Sequence, residues 1–202
     1  TYDIMTDVPT LTDEDMANYA TMNPLVRTSG TLTFSDGNLT NTFVSAWNIG
    51  LGTIALPTSG KFYWESTQIS GANNLMFGVY NPTQNTQAAS AYTHTGGAIF
   101  YFGNGNKYIN GAASSYGAAF TTGDTIGVAV NLDANTITFY KNNVSQGAIS
   151  FAANMIGIPL SPAFLGITSS AVVNFGQRPF AYTPPAGYLK LNTFNLPDSS
   201  IV

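Results

Sequence analysis

The sequence predicts an all-β fold, an antiparallel β-sandwich of two packed sheets, and three observations support this prediction. Apolar residues fall at every second position in several short stretches, which is the spacing of strands with one buried face. Clusters of Asp, Asn and Gly separate these stretches and are typical of tight turns. Charged residues make up only 8% of the 202 residues, which suits neutral, polar outer faces. Short strands separated by turns favour two antiparallel sheets over helices on a parallel sheet.

Length and charge limit the classes of protein to which the chain can belong. A domain near 202 residues buries roughly 70% of its unfolded surface, so a full core is possible without disulfides. The absence of cysteine excludes disulfides, zinc-thiolate sites and thiol catalysis. A formal net charge of -4, with six scattered basic residues, disfavours nucleic acid and membrane surfaces as partners. No apolar run approaches the ~20 residues of a membrane span, and the N-terminus lacks a signal-peptide pattern.

Residues 1–29 are predicted to form an acidic N-terminal arm. Five of the ten acidic residues precede Arg27, which is the first basic residue. The carboxylates of Asp13, Glu14 and Asp15 suit the positive end of a helix dipole, so one alternative is a short helix. The other alternative is an extended arm, which is either solvated or loosely packed, or docked on another subunit.

The sandwich itself is predicted to span residues 30–180. Leu32 and Phe34 alternate before Asp36-Gly37, a favoured two-residue hairpin turn. Strand and turn signals then recur through residue 176. The segment from Gln177 onwards contains too many prolines for a central strand, and residues 181–202 are expected to form an extended tail over the sandwich, anchored by aromatic residues.

The clearest single hairpin lies in residues 125–140. Its first strand carries apolar residues at every second position, and Asp133-Ala134-Asn135 can form a tight turn before the second strand. Asn142-Asn143 accepts positive φ more readily than most residues, so a third strand is expected beyond it. The alternating apolar residues of the hairpin are Ile126, Val128, Val130, Leu132, Ile137 and Phe139.

Five motifs in order resemble a SPRY domain, over about residues 52–180. The central motif is Gly123-Asp124-x-Ile126-Gly127, followed by Leu-Asp and then Phe-Tyr-Lys-Asn. Departures from the family pattern are small, with Asn131 where the family often has Asp and Asn143 where it often has Gly. The resemblance implies the sandwich fold and a role in interaction. The other motifs are Gly60-Lys61-Phe62-Tyr63-Trp64-Glu65, Phe77-Gly78-Val79-Tyr80, Ser161-Pro162-Ala163-Phe164 and Asn174-Phe175-Gly176.

The two ends of the chain carry a narrower resemblance. The run from Asn18 to Leu25, together with the run from Asn174 to Pro185, is similar to SPRY-like domains of tailed-bacteriophage virion proteins. This resemblance implies a structural or adhesion protein at the surface of a phage particle, in a tail fibre or spike or as a capsid decoration.

The sequence offers few candidates for catalysis, so we expect neither a catalytic site nor a metal or cofactor site. His94 is the only histidine, and without a second His or a Cys a transition-metal site would depend on carboxylates. Asp36, Asp124 and Asp133 are explained by turns or strand starts. Glu65 is the least explained carboxylate, and the resemblance implies that it is part of the scaffold.

Binding is expected at loops, because SPRY domains generally hold their partners on loops at one end of the sandwich. The counterpart here is the amide-rich run from Asn81 to Gly97, with Gly111 to Gly117 as a second candidate. Aromatic rings beside Asn and Gln amides could hold a sugar or a polar protein surface. The alternative is that these loops bind nothing. The candidate binding residues are Asn85, Gln87, Tyr92, His94 and Tyr116.

Two functional hypotheses follow. The first is a non-enzymatic virion protein whose partners are other virion proteins and a host-surface glycan or protein, and which forms a homo-oligomer, by analogy a trimer. The alternative is a cellular SPRY module that binds a short peptide in protein-protein interaction.

Overall fold

Fourteen strands form two packed sheets in the part of the chain that the computed structural model describes, residues 13–26, 31–84 and 95–197. Helical structure in these residues is limited to 3-10 turns at Glu14–Met16, Ala153–Met155 and Thr193–Asn195. The all-β prediction is therefore confirmed. The strands are β1 Thr31–Ser35, β2 Thr40–Ser45, β3 Asn48–Leu51, β4 Lys61–Ser70, β5 Leu75–Tyr80, β6 Ala98–Phe102, β7 Asn106–Ile109, β8 Ala112–Ser115, β9 Thr125–Asn131, β10 Thr136–Lys141, β11 Val144–Ser150, β12 Ser161–Gly166, β13 Ser169–Asn174 and β14 Leu189–Lys190.

The two sheets are almost entirely antiparallel. Sheet 1 has the order β1-β2-β13-β4-β9-β10-β11, and the two-residue β14 pairs in parallel with the start of β4. Sheet 2 has the order β3-β12-β5-β6-β7-β8. The chain crosses repeatedly from one sheet to the other, so each sheet combines strands from both halves of the sequence.

The main core lies between the inner faces of the sheets. Ile126, Val128 and Val130 are fully buried on β9, and Ile137 and Phe139 face the same core from β10. This confirms the predicted alternation. Burying large apolar side chains removes them from water and is the main favourable term in folding. The largest of the fully buried side chains are Trp64, Tyr80, Tyr101, Phe43, Phe62, Phe77, Phe100, Phe120, Phe139, Phe164 and Phe175.

Turns built from Asn close the predicted hairpin and the strand after it. Asn135 has a φ of 52° at the end of the β9–β10 turn, and Asn142 and Asn143 have φ values of 47° and 70° before β11. Both turns were predicted from these residue types. The first hairpin differs from its prediction, because β1 and β2 are joined by four residues, 36–39, rather than by two. Leu39 is buried inside this connection, since its side chain belongs to the core.

The N-terminal residues 13–26 pack on the sandwich of the same chain. Asp13 caps the 3-10 turn at Glu14–Met16, and the chain then runs extended. Ala20 and Met22 are fully buried. The Ala20 N–H donates to the Leu191 carbonyl at 3.0 Å, so the described N-terminal segment contacts the residue that follows β14.

Strand directions give the sandwich two distinct ends. We call the first the loop end; it carries the 81–97 connection, the 110–111 turn, the 132–135 turn and the 3-10 turn at Ala153–Met155. The opposite end carries residues 71–74, 103–105 and 121–124. A hydrogen bond from the Phe120 N–H to the Gly103 carbonyl joins the two sheets at that opposite end. The 103–105 turn, with the sequence Gly-Asn-Gly, joins β6 to β7.

Candidate functional site

The 81–97 connection leaves the loop end of sheet 2 between β5 and β6, and Asn81 fixes both of its stems. The Asn81 backbone N–H donates to the Gly97 carbonyl at 2.8 Å, and its side-chain Nδ2 donates to the Gly96 carbonyl at 3.0 Å. Its Oδ1 accepts from the N–H and the hydroxyl of Thr83, at 3.0 and 2.8 Å. One buried amide therefore closes the base of the loop.

Two further asparagines support the second stem. Asn110 Oδ1 accepts from the N–H groups of Gly97 and Ala98, each at 3.0 Å. Asn110 Nδ2 donates to Asn154 Oδ1 at 2.9 Å, and Asn154 Nδ2 donates to the Thr95 carbonyl at 2.8 Å. We call Asn81, Asn110 and Asn154 the asparagine frame. It ties together three connections that are distant in sequence, and no member of the frame titrates in the physiological range.

Four of the five binding residues predicted from the sequence belong to this connection. Asn85, Gln87, Tyr92 and His94 lie outside the described residues, so their role stays a prediction. The asparagine frame itself was missed in the sequence, although Asn110-Gly111 is a typical turn pair. Its importance depends on contacts across 44 residues to Asn154, which no local pattern indicates.

Tyr116, the fifth predicted residue, lies at the opposite end of sheet 2, because its N–H pairs with the Gly105 carbonyl. The structure therefore does not bring it together with the 81–97 connection. Its hydroxyl accepts from the Phe139 N–H at 3.3 Å and donates to the Gly147 carbonyl. Phe139 and Gly147 lie at a bulge between β10 and β11. The hydroxyl thus satisfies backbone groups that the bulge leaves unpaired.

The environment of Tyr116 is that of a structural side chain. Its ring packs edge-on against Tyr101 and Phe139, and Lys107 Nζ lies 5.5 Å from the ring centroid. Burial raises the pKa of the Tyr116 hydroxyl to about 12, so it remains protonated and able to donate at neutral pH.

Glu65 anchors the C-terminal strap, which we define as residues 176–190. Its two carboxylate oxygens accept from the N–H groups of Ala181 and Tyr182, at 2.7 and 2.9 Å. The Tyr63 hydroxyl donates to the same carboxylate at 3.0 Å, and Phe180 packs edge-on against the Tyr63 ring. Burial is the largest reason why the pKa of Tyr63 is raised, and the adjacent carboxylate adds to it. These contacts give Glu65 a structural role, and Phe180 adds an aromatic contact between the strap and sheet 1.

Asp124, the other carboxylate considered for catalysis, closes a turn at the opposite end of the molecule. It accepts from the Thr121 N–H at 2.9 Å and from Asn142 Nδ2 at 2.6 Å, and Lys141 Nζ lies 3.2 Å away. Burial alone would raise its pKa, but these hydrogen bonds and the lysine charge outweigh burial and lower it. The aspartate is therefore ionised at neutral pH and is held as part of the turn.

Two grooves flank Arg178 and Pro179 on the strap. One, of about 240 Å³, lies beside Glu65 on the outer face of sheet 1. The other, of about 430 Å³, lies between the strap and the N-terminal segment and is lined by Tyr19 and Lys190. Arg178 is paired with Asp36 at 2.8 Å. In the described ranges no group of three or more His, Cys, Asp or Glu could hold a metal ion, and no helix there is long and apolar enough to cross a membrane.

Comparison with known proteins identifies the family to which the sequence is similar. Residues 41–178 match the sequence model of the SPRY domain. The chain is 29% identical to the ATP-dependent RNA helicase Ddx1 of Drosophila melanogaster over 145 residues, which are 71% of this chain and 19% of that protein. It is 34% identical to Ran-binding protein 9 of Xenopus tropicalis over 127 residues, 61% of this chain and 23% of that protein. The chain thus spans less than a quarter of either relative.

A solved structure gives the same result for the fold. The SPRY domain of human HERC1 superposes with a TM-score of 0.65 at 19% identity, covering 78% of this chain and 99% of that domain. At this identity the likeness concerns the fold alone. The family match spans more than half of the chain and includes the strands that carry the asparagine frame and Glu65. The chain belongs to the SPRY domain family.

Proposed function

We propose that the chain is a non-enzymatic interaction module that binds an extended peptide segment of a partner protein at the loop end. The asparagine frame is the observation that carries this proposal, because it fixes both stems of the 81–97 connection on rigid strands. Loops positioned by a rigid scaffold are common carriers of recognition. Membership of the SPRY family supports a role in protein interaction. The helicase activity in the name of one relative is not transferred, since the chain covers 19% of that protein.

The chemistry of the connection suits a peptide. Residues 81–97 include no Asp, Glu, Lys or Arg and are rich in Asn, Gln and Thr. Side-chain amides offer both donors and acceptors, which complement the N–H and C=O groups of an extended backbone. Tyr92 and His94 add ring surface at a small cost in conformational entropy.

A peptide array probed with the 202-residue chain tests this function. We expect a set of short peptides to bind, and we expect Tyr92→Ala and His94→Ala to weaken their affinity at least about tenfold. Tyr116→Phe is the matched control, because it alters an aromatic residue at the opposite end and should leave affinity unchanged. An array without any binding peptide, or affinity lost with Tyr116→Phe but kept with Tyr92→Ala, would overturn the proposal.

A second candidate is a structural or adhesion protein of a phage particle, with other virion proteins and a host-surface glycan or protein as partners. It is favoured by one observation: the two segments that carry the resemblance to virion proteins lie on either side of Leu191, because the Ala20 N–H donates to the Leu191 carbonyl and the Leu191 N–H donates to the Phe175 carbonyl. It ranks second because the relatives named above are animal proteins. Mass spectrometry of purified virions tests it, and absence of the chain from all particles would contradict it.

A further inference from the structure

Sheet 2 ends in β8, whose outer edge is open. All four of its residues, Ala112–Ser115, are exposed. In the β7–β8 hairpin Ile109 lies opposite Ala112 and Lys107 opposite Ser114. The residue pair that flanks a two-residue turn is hydrogen-bonded, and hydrogen-bonded pairs alternate with non-hydrogen-bonded pairs along an antiparallel ladder. Ala112 and Ser114 are therefore hydrogen-bonded to β7. The N–H and C=O groups of Ala113 and Ser115 therefore point away from β7, towards solvent.

The other sheet edges in the described part of the chain are covered or irregular. Strand β11 is bulged at Gly147, which has a φ of 100°. The register of β1 shifts at Thr31. Strand β3 is buried, and the Asn23 N–H donates to its Leu51 carbonyl at 2.7 Å. Bulges and cover are the usual means by which proteins prevent edge-to-edge pairing, and β8 has neither among residues 13–26, 31–84 and 95–197.

The flank that includes β8 is also uncharged. Strand β11 lies beside it in sheet 1, because the Ala118 N–H donates to Gln146 Oε1 at 2.8 Å. Neither Ala112–Ser115 nor Val144–Ser150 contains a charged residue. Val144 is 64% exposed on this flank. Each copy has a net charge of -4, and like charges repel when they are brought close together. Two copies therefore repel each other least where the facing surfaces carry no charge.

We propose that two copies of this chain pair through their β8 edges, antiparallel, about a two-fold axis at Ser114. In this register Ala113 of each copy lies opposite Ser115 of the other, and the outward groups form four hydrogen bonds. The small Ala and Ser side chains let the backbones approach without a clash. The two six-stranded sheets become one continuous sheet, and the two-fold closes the assembly.

The expected association is weak. A four-residue strand buries less than the roughly 1,200 Å² at which stable interfaces begin, and the β11 flank adds only part of the difference. The dimer should therefore form in a concentration-dependent way, with exchange between monomer and dimer. The pairing uses no residue of the loop end, so dimer formation and peptide binding can be tested independently of each other.

A single cysteine tests both the pairing and its register, because the chain contains none. Across the axis the two Ser114 positions form an unbonded pair with Cα atoms about 4.5 Å apart, inside the range of roughly 4.4–6.8 Å that a disulfide spans. We expect Ser114→Cys to give a covalent dimer under mild oxidation. Thr33→Cys, on the exposed and distant edge β1, is the matched control and should remain monomeric.

Two further substitutions separate pairing from random collision. Ala113→Pro removes an outward N–H that the fold does not use, and proline is tolerated at such edge positions. Added to Ser114→Cys, it should abolish the crosslink, whereas Ala113→Val keeps the N–H and should preserve it. Circular dichroism confirms that each variant is folded. Crosslinking of Ser114→Cys no faster than Thr33→Cys, or unaffected by Ala113→Pro, overturns the proposal, as does a monomer that binds an extended peptide along β8.

Discussion

The Tyr116 hydroxyl bridges a bulge, donating to the Gly147 carbonyl and accepting from the Phe139 N–H. Tyr116→Phe keeps the ring against Tyr101 but leaves both backbone groups without this partner. We expect the free energy of unfolding to fall by about 1–3 kcal/mol, the usual effect of unsatisfied buried groups. Urea denaturation of the variant and the wild type measures this difference. An unchanged midpoint would contradict the bridging role.

Glu65 is the residue on which the C-terminal strap depends. Glu65→Ala removes the acceptor of the Ala181 and Tyr182 N–H groups, and we expect a loss of about 2 kcal/mol in unfolding free energy. Amide hydrogen exchange at Ala181 and Tyr182 should accelerate. Glu65→Gln retains one acceptor oxygen, so its effect should be intermediate. Continued protection of both amides in Glu65→Ala would show that another group holds the strap.

At the scale of elements, the pairing of β5 with β6 requires a residue without a side chain at Gly78. A Cβ atom there would lie 1.9 Å from the Ile99 carbonyl oxygen. Gly78→Ala should therefore force the strands apart and lower stability by about 3 kcal/mol. Gly52→Ala is the control, because its Cβ would meet Pro162 at a milder 3.3 Å. Thermal unfolding of both variants tests this, and equal losses would contradict the close approach.

The contact between the N-terminal 3-10 turn and β14 depends on pH. Glu14 and Lys190 form an ion pair at 2.8 Å. Burial raises the pKa of Glu14, but the hydrogen bonds from Lys190 and Asn195 outweigh it and lower the pKa. The hydrogen bond to Glu14 raises the pKa of Lys190. An acid whose pKa is lowered in the folded state stabilises the protein at pH values above the pKa of the unfolded state, and this stabilisation is lost as the pH falls through the folded pKa. A lysine whose pKa is raised in the folded state stabilises the protein below its unfolded pKa, and this stabilisation is lost as the pH rises through the folded pKa.

The pair should accordingly stabilise the protein between about pH 5 and pH 10, given ordinary values near 4.3 and 10.4. Because both side chains are partly exposed, the contribution should be below about 1 kcal/mol. The difference in unfolding free energy between the wild type and Glu14→Gln measures it. That difference should be fully present above the ordinary glutamate pKa of about 4.3 and should shrink as the pH falls through the lower pKa of folded Glu14. A difference that does not change on acidification would contradict the assignment.

For the whole molecule, local patterns predicted much of the fold, while contacts between distant segments escaped them. The β9–β10 hairpin is evident because alternation and turn residues lie within 16 consecutive positions, 125–140. Glu65 meets Ala181 across 116 residues, and Ala20 meets Leu191 from the other end of the chain. In the sequence such residues look like ordinary strand or linker residues, because only the closed fold brings them together.

The same limit applies to the candidate site. The resemblance to SPRY domains selected the 81–97 connection, with the run from Gly111 to Gly117 as a second candidate. The sequence could not show that Tyr116 of the second run lies elsewhere in the molecule. Strand direction decides that question: β6, β7 and β8 place Tyr116 at the end away from Asn81 and Gly97. The asparagine frame stayed hidden, because an Asn that shapes a turn and an Asn that ties two connections have the same local sequence.

Amide hydrogen exchange of the whole chain, with and without the tightest-binding peptide from the array, shows whether the peptide binds at the loop end. We expect peptide binding to slow exchange in residues 81–97 and 110–111 and to leave exchange in the strap and in β8 unchanged. Protection confined to the grooves beside Arg178, with the loop end unaffected, would contradict it.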